Sequence, residues 1–299
     1  MLLQEIVLIS ANPKSGPRSS LALVEQLKCS LENVGYLCEL HTNLDAMAQR
    51  AEVLWQEKRL RTVIAAGGDG TASIVSSLIH PQTPLTLFPT GSENLLAQYL
   101  GVTANVESCV NAIQRMRTRT FDTMDVNGKT AMLMASIGFD AEVVRRVHQA
   151  RRSHITRWNY WKAIAATVLA YRWPDLHVVL RDEQGRAMEE TLGSWVFIFN
   201  VPKYAAGLAI MEDAKENDGQ LDIGVLDRGG LFRGLCDFLA VLRGKHHQSQ
   251  RWRRFRAASI EISVQESSAG QASCQSDGDW TSGLPVQIRI RPSQRLIVV

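Results

Sequence analysis

Long apolar runs, clustered cysteines and a surplus of either charge are all missing from this chain of 299 residues. Its longest helical apolar stretch, Ala163 to Ala170, falls far short of the roughly 20 residues that span a bilayer, which excludes a membrane-crossing helix. The five cysteines, Cys29, Cys38, Cys109, Cys236 and Cys274, are odd in number and scattered, with no CxxC spacing and no paired histidines beside them. That excludes a disulfide framework or a zinc site and points to reduced thiols in the cytoplasm. The 33 Lys and Arg against 30 Asp and Glu leave a net charge of +3, too weak a field to imply a nucleic-acid partner. The first ten residues carry neither a basic region nor a small-residue cleavage site, so no signal peptide is expected. No internal repeat or low-complexity segment stands out.

What is present is an ordinary folding composition, 45% apolar and 21% charged, with length enough for two domains. The first third alternates short apolar runs (Ile6 to Ile9, Thr62 to Ala66, Leu85 to Phe88) with amphipathic stretches (Ser20 to Val34, Thr71 to Ile79). This is βαβ grammar, and it predicts an α/β domain with an open, mostly parallel sheet whose ligands gather at the carboxyl ends of the strands. Past about Phe121 strands follow one another directly: Ala131 to Ser136, His177 to Arg181, Ser194 to Asn200, Gln220 to Leu226, Ala257 to Val264 and Val286 to Arg291. They predict a mainly antiparallel β-sandwich, interrupted by helices over Asp140 to Ala150, Trp158 to Tyr171 and Leu231 to Leu242. Gln265 to Ser276 reads as a flexible loop. The expected division is 1–124 and 125–291, with 292–299 rejoining the first domain.

Three turns in the first domain carry chemistry. Strand Thr62 to Ala66 runs into Gly67-Gly68-Asp69-Gly70-Thr71 and then at once into a helical pattern. Glycines let the backbone approach a ligand, and the helix start aims N–H groups and positive dipole at it, so phosphate is the natural occupant. Asp69 beside phosphate calls for Mg2+ between them. Asn12-Pro13-Lys14-Ser15-Gly16 follows a neighbouring strand, and Pro89-Thr90-Gly91-Ser92-Glu93-Asn94 follows the next. Taken singly, the first of these is also readable as a plain Pro-Gly loop, and the second as a helix cap made by Ser92 or Asn94. Asp277-Gly278-Asp279 by itself reads as a hairpin turn.

In this order and spacing, NPKSG, GGDGT and PTGSEN resemble the NPxSG, GGDGT and PxGTxN motifs of the diacylglycerol kinase catalytic domain, shared with bacterial lipid kinases and with sphingosine and ceramide kinases. The resemblance continues through Ser136-Ile137-Gly138-Phe139-Asp140-Ala141, Asn200 and Gly207, Asp218-Gly219-Gln220-Leu221-Asp222 and Asp277-Gly278-Asp279, nearly the whole chain. It implies a nucleotide-binding first domain and a lipid-substrate second domain, with ATP held in the cleft between them by Asn12, Pro13, Lys14, Ser15, Gly16, Thr42, Gly67, Gly68, Asp69, Gly70, Thr71, Gly91, Ser92 and Asn94. It implies that Asp69 and Asp122 organise the catalytic Mg2+, that Lys215, Asp218 and Gln220 hold a second, structural Mg2+, and that Asp277 or Asp279 accepts the substrate proton. The activity implied is transfer of the ATP γ-phosphate to the hydroxyl of a diacylglycerol-like lipid.

The chain departs from the family pattern at four places. Ser73-Ile74 stand where an Asn-Glu pair is usual, and Leu95 stands where an Asp is usual, with Glu93 close enough to compensate. The DGE motif is DGD, which draws its carboxylate back by about 1.5 Å. Glu212 replaces the proline before Asp213-Ala214. Two rival readings share these residues: an NAD kinase, which has GGDGT and a similar plan, and a lipid- or nucleotide-binding regulatory module that has lost turnover. Arg145, Arg146, Arg151, Arg152 and Arg157 precede Trp158, Tyr160, Trp161, Tyr171 and Trp173, and a second cluster runs Arg243, Lys245, Arg251, Trp252, Arg253, Arg254, Arg256. Such mixtures suit peripheral contact with an anionic membrane surface, and equally a solvated basic helix with its aromatics in the core. No nucleic-acid partner is expected, and a homodimer stays open.

Overall fold

The structure, a computed structural model, describes residues 4–11, 19–149, 157–203, 210–227, 236, 239–241, 243–265 and 271–299. It divides into two compact units, residues 1–122 with 293–299, and residues 123–292.

In the first unit the apolar runs become parallel strands β1 (Ile6–Ala11), β2 (Leu37–His41), β3 (Leu60–Gly67) and β4 (Pro84–Pro89), in the order β2-β1-β3-β4. The far end of β16 (Val286–Val298) adds itself parallel to β4, with Leu296 opposite Pro84 and Ile297 opposite Leu85. Central strands read as unbroken apolar runs because helices cover both faces. Val24, Leu27 and Leu31 of α1 (Ser19–Asn33) join Cys109, Val110 and Ile113 of α5 (Val106–Arg115) over Val7, Ile9, Ile64 and Phe88. The opposite face is covered by α2 (Leu44–Gln56) and α3 (Asp69–Leu78), which bury Met47, Leu54 and Val75. The short α4 (Leu95–Leu100) follows β4.

The second unit is a pair of antiparallel sheets, as the succession of strands predicts. One runs from the near end of β16 through β13 (Ser259–Val264) and β8 (Leu176–Arg181) to β9 (Ala187–Gly193), with β5 (Thr118–Val126) on β16 and β6 (Lys129–Ala131) on β5. The other has six strands in the order β12-β11-β10-β7-β14-β15: Trp252–Ala257, Leu221–Leu226, Trp195–Phe199, Met134–Ile137, Ser273–Ser276 and Asp279–Gly283. Alternate residues of both sheets, among them Leu176, Val178 and Leu180, Val196 and Ile198, Ile260 and Ile262, form one shared core. The outward residues of β10, Trp195, Phe197 and Phe199, are buried too, and Trp195 packs against Phe139 at the start of α6 (Phe139–Gln149) and against Trp173, just past α7 (Arg157–Ala170).

Three sequence expectations need correction. Ala131 to Ser136 is not one strand but the end of β6 and the start of β7, broken at Met132 and Leu133, whose N–H groups turn to a side chain instead of a ladder. The end of the expected loop is the buried strand β14, whose polar residues find partners on α6, β7 and β15. Its residues 266–270, like most of the helix expected over Leu231 to Leu242, lie outside the described residues. Finally, β12 was hidden within the second basic cluster. Its arginines pair with acidic side chains while its backbone pairs with β11.

Candidate functional site

Parallel register brings the carboxyl ends of four strands to one edge. Ser10 lies opposite His41, Ala11 opposite Ala66, and Gly67 opposite Pro89. Thr42 is exposed at that edge, just before Asn43, whose Oδ1 caps α2 by accepting the Ala46 N–H at 2.9 Å. Asn12, Pro13, Lys14, Ser15 and Gly16 follow Ala11 but lie outside the described residues.

The glycines of the next two turns are there because a Cβ would not fit. A Cβ on Gly67 would lie 2.6 Å from the Thr71 Cβ, and one on Gly91 would lie 2.5 Å from the Gly68 Cα. Thr90 N–H donates to Gly67 O at 3.0 Å. Asn94, in the left-handed region at φ 53°, closes the upper turn: Oδ1 accepts from Gly91 N–H at 3.1 Å and Nδ2 donates to Gly91 O at 2.9 Å. Gly68 begins α3 with no side-chain cap, so the N–H groups of that first turn keep their capacity for an anion. Gly70 and Thr71 sit half-buried in this first turn, and Ser92 is exposed.

Asp69 joins the two turns. Its Oδ2 accepts from Leu95 N–H and its Oδ1 from Leu96 N–H, both at 2.9 Å, so the start of α4 is capped from 26 residues away and not by Ser92 or Asn94. Burial raises the Asp69 carboxyl above its ordinary range; the two amides pull it down, and the Glu93 charge pushes it further up. A desolvated carboxylate beside a second negative charge is a donor set that a divalent cation relieves, and each Asp69 oxygen keeps a lone pair for one. Asp69 and its neighbours therefore fit Mg2+. Asp122, on β5 and 1% exposed, accepts the Ser293 N–H at 2.6 Å. Among the described residues no group of three His, Cys, Asp or Glu side chains is poised to hold a metal by itself.

In the second unit the geometry separates the two carboxylates of DGD. Asp277, with φ 49°, occupies the turn between β14 and β15, and its carboxylate accepts three backbone N–H groups: Met132 at 2.7 Å, Leu133 at 2.9 Å and Met134 at 3.1 Å. It thereby holds the break between β6 and β7. Asp279, two residues on, is exposed, and among the described residues its carboxylate has no hydrogen-bond or ion-pair partner. Behind them lies a buried network: Gln275 Nε2 donates to Ser136 Oγ at 2.7 Å, Ser136 bonds Asp140, and Trp195 Nε1 donates to Asp140 Oδ1 at 2.6 Å.

Lys215, Asp218 and Gln220 lie on the surface loop before β11. Asp218 Oδ1 accepts the Gln220 N–H at 3.1 Å, and its Oδ2 pairs with Arg256, whose Nε also reaches Asp222 at 3.2 Å. Burial raises the Asp222 carboxyl above its usual range despite the Arg256 charge. A guanidinium thus pairs with the carboxylate that was expected to hold a structural cation. In the sequence Arg256 is one of a basic cluster; the signal of its pairing is the set of acidic residues at 218 and 222, with 213 opposite Arg254. Arg253 pairs with Asp227 and Arg254 with Asp213 at 3.1 Å, so this strand's charge is largely spent internally. The side chains of Arg151, Arg152, Arg157, Trp158, Tyr160 and Trp161 lie outside the described ones.

The diacylglycerol kinase catalytic domain matches residues 6–126, and the YegS C-terminal NAD kinase beta sandwich-like domain matches residues 133–299. The chain belongs to the diacylglycerol kinase superfamily. A curated diacylglycerol kinase of Mycobacterium tuberculosis is 27% identical over 238 residues, 77% of this chain and 74% of that one. A crystal structure of a diacylglycerol kinase from Bacillus anthracis superposes with a TM-score of 0.69 at 18% identity, covering 100% of this chain and 98% of that one. An NAD kinase from Archaeoglobus fulgidus in complex with ATP has a TM-score of 0.55 at 10% identity over 99% and 93% of the two chains, a likeness of fold alone. Among the described residues of this diacylglycerol kinase relative, no helix is long and apolar enough to cross a membrane.

Proposed function

We propose that the protein is an ATP-dependent lipid kinase that transfers the γ-phosphate to the hydroxyl of a diacylglycerol-like lipid. The observation that carries this reading is the pair of interlocked glycine turns at the carboxyl edge of a parallel sheet, pinned by Asp69, in a chain of this family.

In this reading Gly67 to Thr71 and Gly91 to Asn94 present backbone to the nucleotide phosphates, with Thr42 on the same edge, and Asn12 to Gly16 join them by the family resemblance. Asp69, assisted by Asp122, would hold Mg2+, which supplies charge neutralisation to the phosphates. Arg256 takes the place of a second cation by bridging Asp218 and Asp222. Asp279 receives the proton as the lipid hydroxyl oxygen bonds to the γ-phosphorus and the bond to the bridging oxygen breaks. Asp277 is a positioning residue, because three amide donors engage its carboxylate and make it a firm anchor for the break between β6 and β7. The protein would act at an anionic membrane surface, docked from the cytoplasm.

The test is ATP- and Mg2+-dependent phosphate transfer to diacylglycerol, monoacylglycerol, ceramide, sphingosine and phosphatidylglycerol in mixed micelles, with NAD alongside. Transfer to a lipid that disappears in Asp279→Asn supports the reading. Transfer to NAD, or ATP binding with no transfer to any lipid, overturns it.

A further inference from the structure

A cavity of about 510 Å3 opens in the second unit between α6, the end of α7 and the β14–β15 hairpin. Its size falls in the range of small-molecule sites. Three guanidinium groups line it, from Arg145, Arg146 and Arg172, against one carboxylate, Glu142. Glu142 is 7% exposed and already doubly engaged: Arg145 grips both its oxygens at 2.7 and 2.6 Å, Arg146 reaches one at 3.0 Å, and Ser273 donates at 3.2 Å. Burial raises this carboxyl, yet the bonds and charges of the arginines outweigh it and hold the group below its ordinary range. One anion therefore faces three cations. Among the described residues Arg172 has no ion-pair or hydrogen-bond partner, and the Tyr171 hydroxyl, on the same wall and sealed from solvent, has none either.

The rest of the lining mixes two neutral polar side chains, Gln149 and Gln271, with apolar or small ones. Trp280, 38% exposed, is one of the few large apolar side chains left uncovered, and Ala170, Ala272 and Gly283 lie near it. Strand alternation turns Trp280 to the face opposite Asp279, so this cavity is separate from the carboxylate assigned to phosphoryl transfer.

We propose that the cavity is a binding site for the phosphate ester of an anionic glycerolipid, its phosphate on Arg172 and Arg146 and its glycerol and first methylenes against Trp280. A net excess of two positive charges selects the anion, and the indole selects a ligand with an apolar continuation. A free phosphate ester shares the first feature only. An anionic bilayer supplies such headgroups, so the site ties the protein to the surface that holds its lipid.

The experiment is calorimetric titration of the ATP-saturated protein with dihexanoyl phosphatidylglycerol below its micellar concentration, dihexanoyl phosphatidylcholine, glycerol 3-phosphate and inorganic phosphate. Phosphatidylglycerol is expected to bind best, and Arg172→Gln to weaken it about tenfold, the effect of one charge-assisted contact. Arg146→Gln, which leaves Glu142 braced by Arg145, is expected to act in the same direction, and Trp280→Ala to weaken the lipid but not glycerol 3-phosphate. Equal binding of phosphatidylcholine, or no response to either arginine substitution, overturns the site. Glycerol 3-phosphate binding as tightly as the lipid overturns the lipid assignment. Since binding is read without turnover, a protein that binds phosphatidylglycerol here yet transfers no phosphate would sink the kinase reading and leave this one standing.

Discussion

Two carboxylates separated by one glycine have opposite surroundings, and substitution should tell them apart. Asp277→Asn puts one carbonyl oxygen and one NH2 group where two oxygens now accept three N–H groups. A buried donor then faces a donor, and stability should fall by about 1–3 kcal/mol, read as a lower melting temperature with activity lost in proportion to folding. Asp279→Asn breaks no contact, so the melting temperature should hold within the roughly 0.5 kcal/mol of a neutral surface change, while phosphate transfer falls by about 10²–10⁴. The reverse pattern would exchange the two roles. A second residue-scale prediction concerns Gly91. Gly91→Ala places a methyl 2.5 Å from the Gly68 Cα, backbone against backbone, with no side chain to move aside. ATP affinity should drop by more than melting temperature does, since the displaced atoms belong to the phosphate turn; equal binding by wild type and variant in a titration would remove that turn from the nucleotide site. Here the sequence was most informative. Glycine spacing announced a close backbone approach, whereas the amide contacts that distinguish Asp277 from Asp279 join residues 143 to 145 positions apart and leave no local mark.

At the scale of elements, helix α6 and strand β12 each hold charge against burial, and pH and salt bridges expose how. The Glu142 carboxyl is depressed from its ordinary value of 4.5, burial raising it and the Arg145 bond, with the Arg145 and Arg146 charges, lowering it further. A depressed acid contributes stability above its unfolded pKa and loses it as pH falls through the folded one. Thermal unfolding from pH 6 down to pH 3 should therefore show a drop below about pH 4 that shrinks in Glu142→Gln; an unchanged acid limb would deny the brace its role. On β12, Arg256→Gln leaves buried Asp222 and its neighbour Asp218 without their shared cation. Because Arg256 is about half exposed, the expected loss is about 1–2 kcal/mol, below that of a fully buried pair. Added Mg2+ should raise the variant's melting temperature by more than it raises the wild type's. Such elements show what sequence patterning can and cannot carry. Period-two patterning made β8, β11 and β13 legible, and an unbroken apolar run did the same for β10. Strand β14, spelled Ser-Cys-Gln-Ser, was not, because its burial is satisfied by side-chain hydrogen bonds to α6, β7 and β15 and not by apolar side chains. Nor was β12, whose arginines disguise a paired strand.

Across the whole molecule the fold class followed from one contrast, helices between strands in the first third and strands in direct succession afterwards. The chain's last few residues make a bond that this contrast leaves unspecified. Ser293 to Val299 belong to the first unit: Ile297 and Val298 are buried, and Arg295, 3% exposed, donates to the carbonyls of Ile79 and His80 at 2.7 Å. Burial lowers the Arg295 pKa to about 10, so it stays charged at neutral pH and those two carbonyls keep a charged donor. Deleting 293–299 would strip β4 of its neighbour, remove the N–H that Asp122 accepts, and forfeit the burial of Ile297 and Val298, worth roughly 1.5–3 kcal/mol each. An exposed strand edge would also invite self-association. Hydrogen exchange on the truncated chain should show amides of β3 and β4 losing protection while those of β10 and β11 keep theirs. Loss of protection in all four strands together would mean that the two units unfold as one, and that the terminal strand stabilises the whole molecule and not the first unit alone.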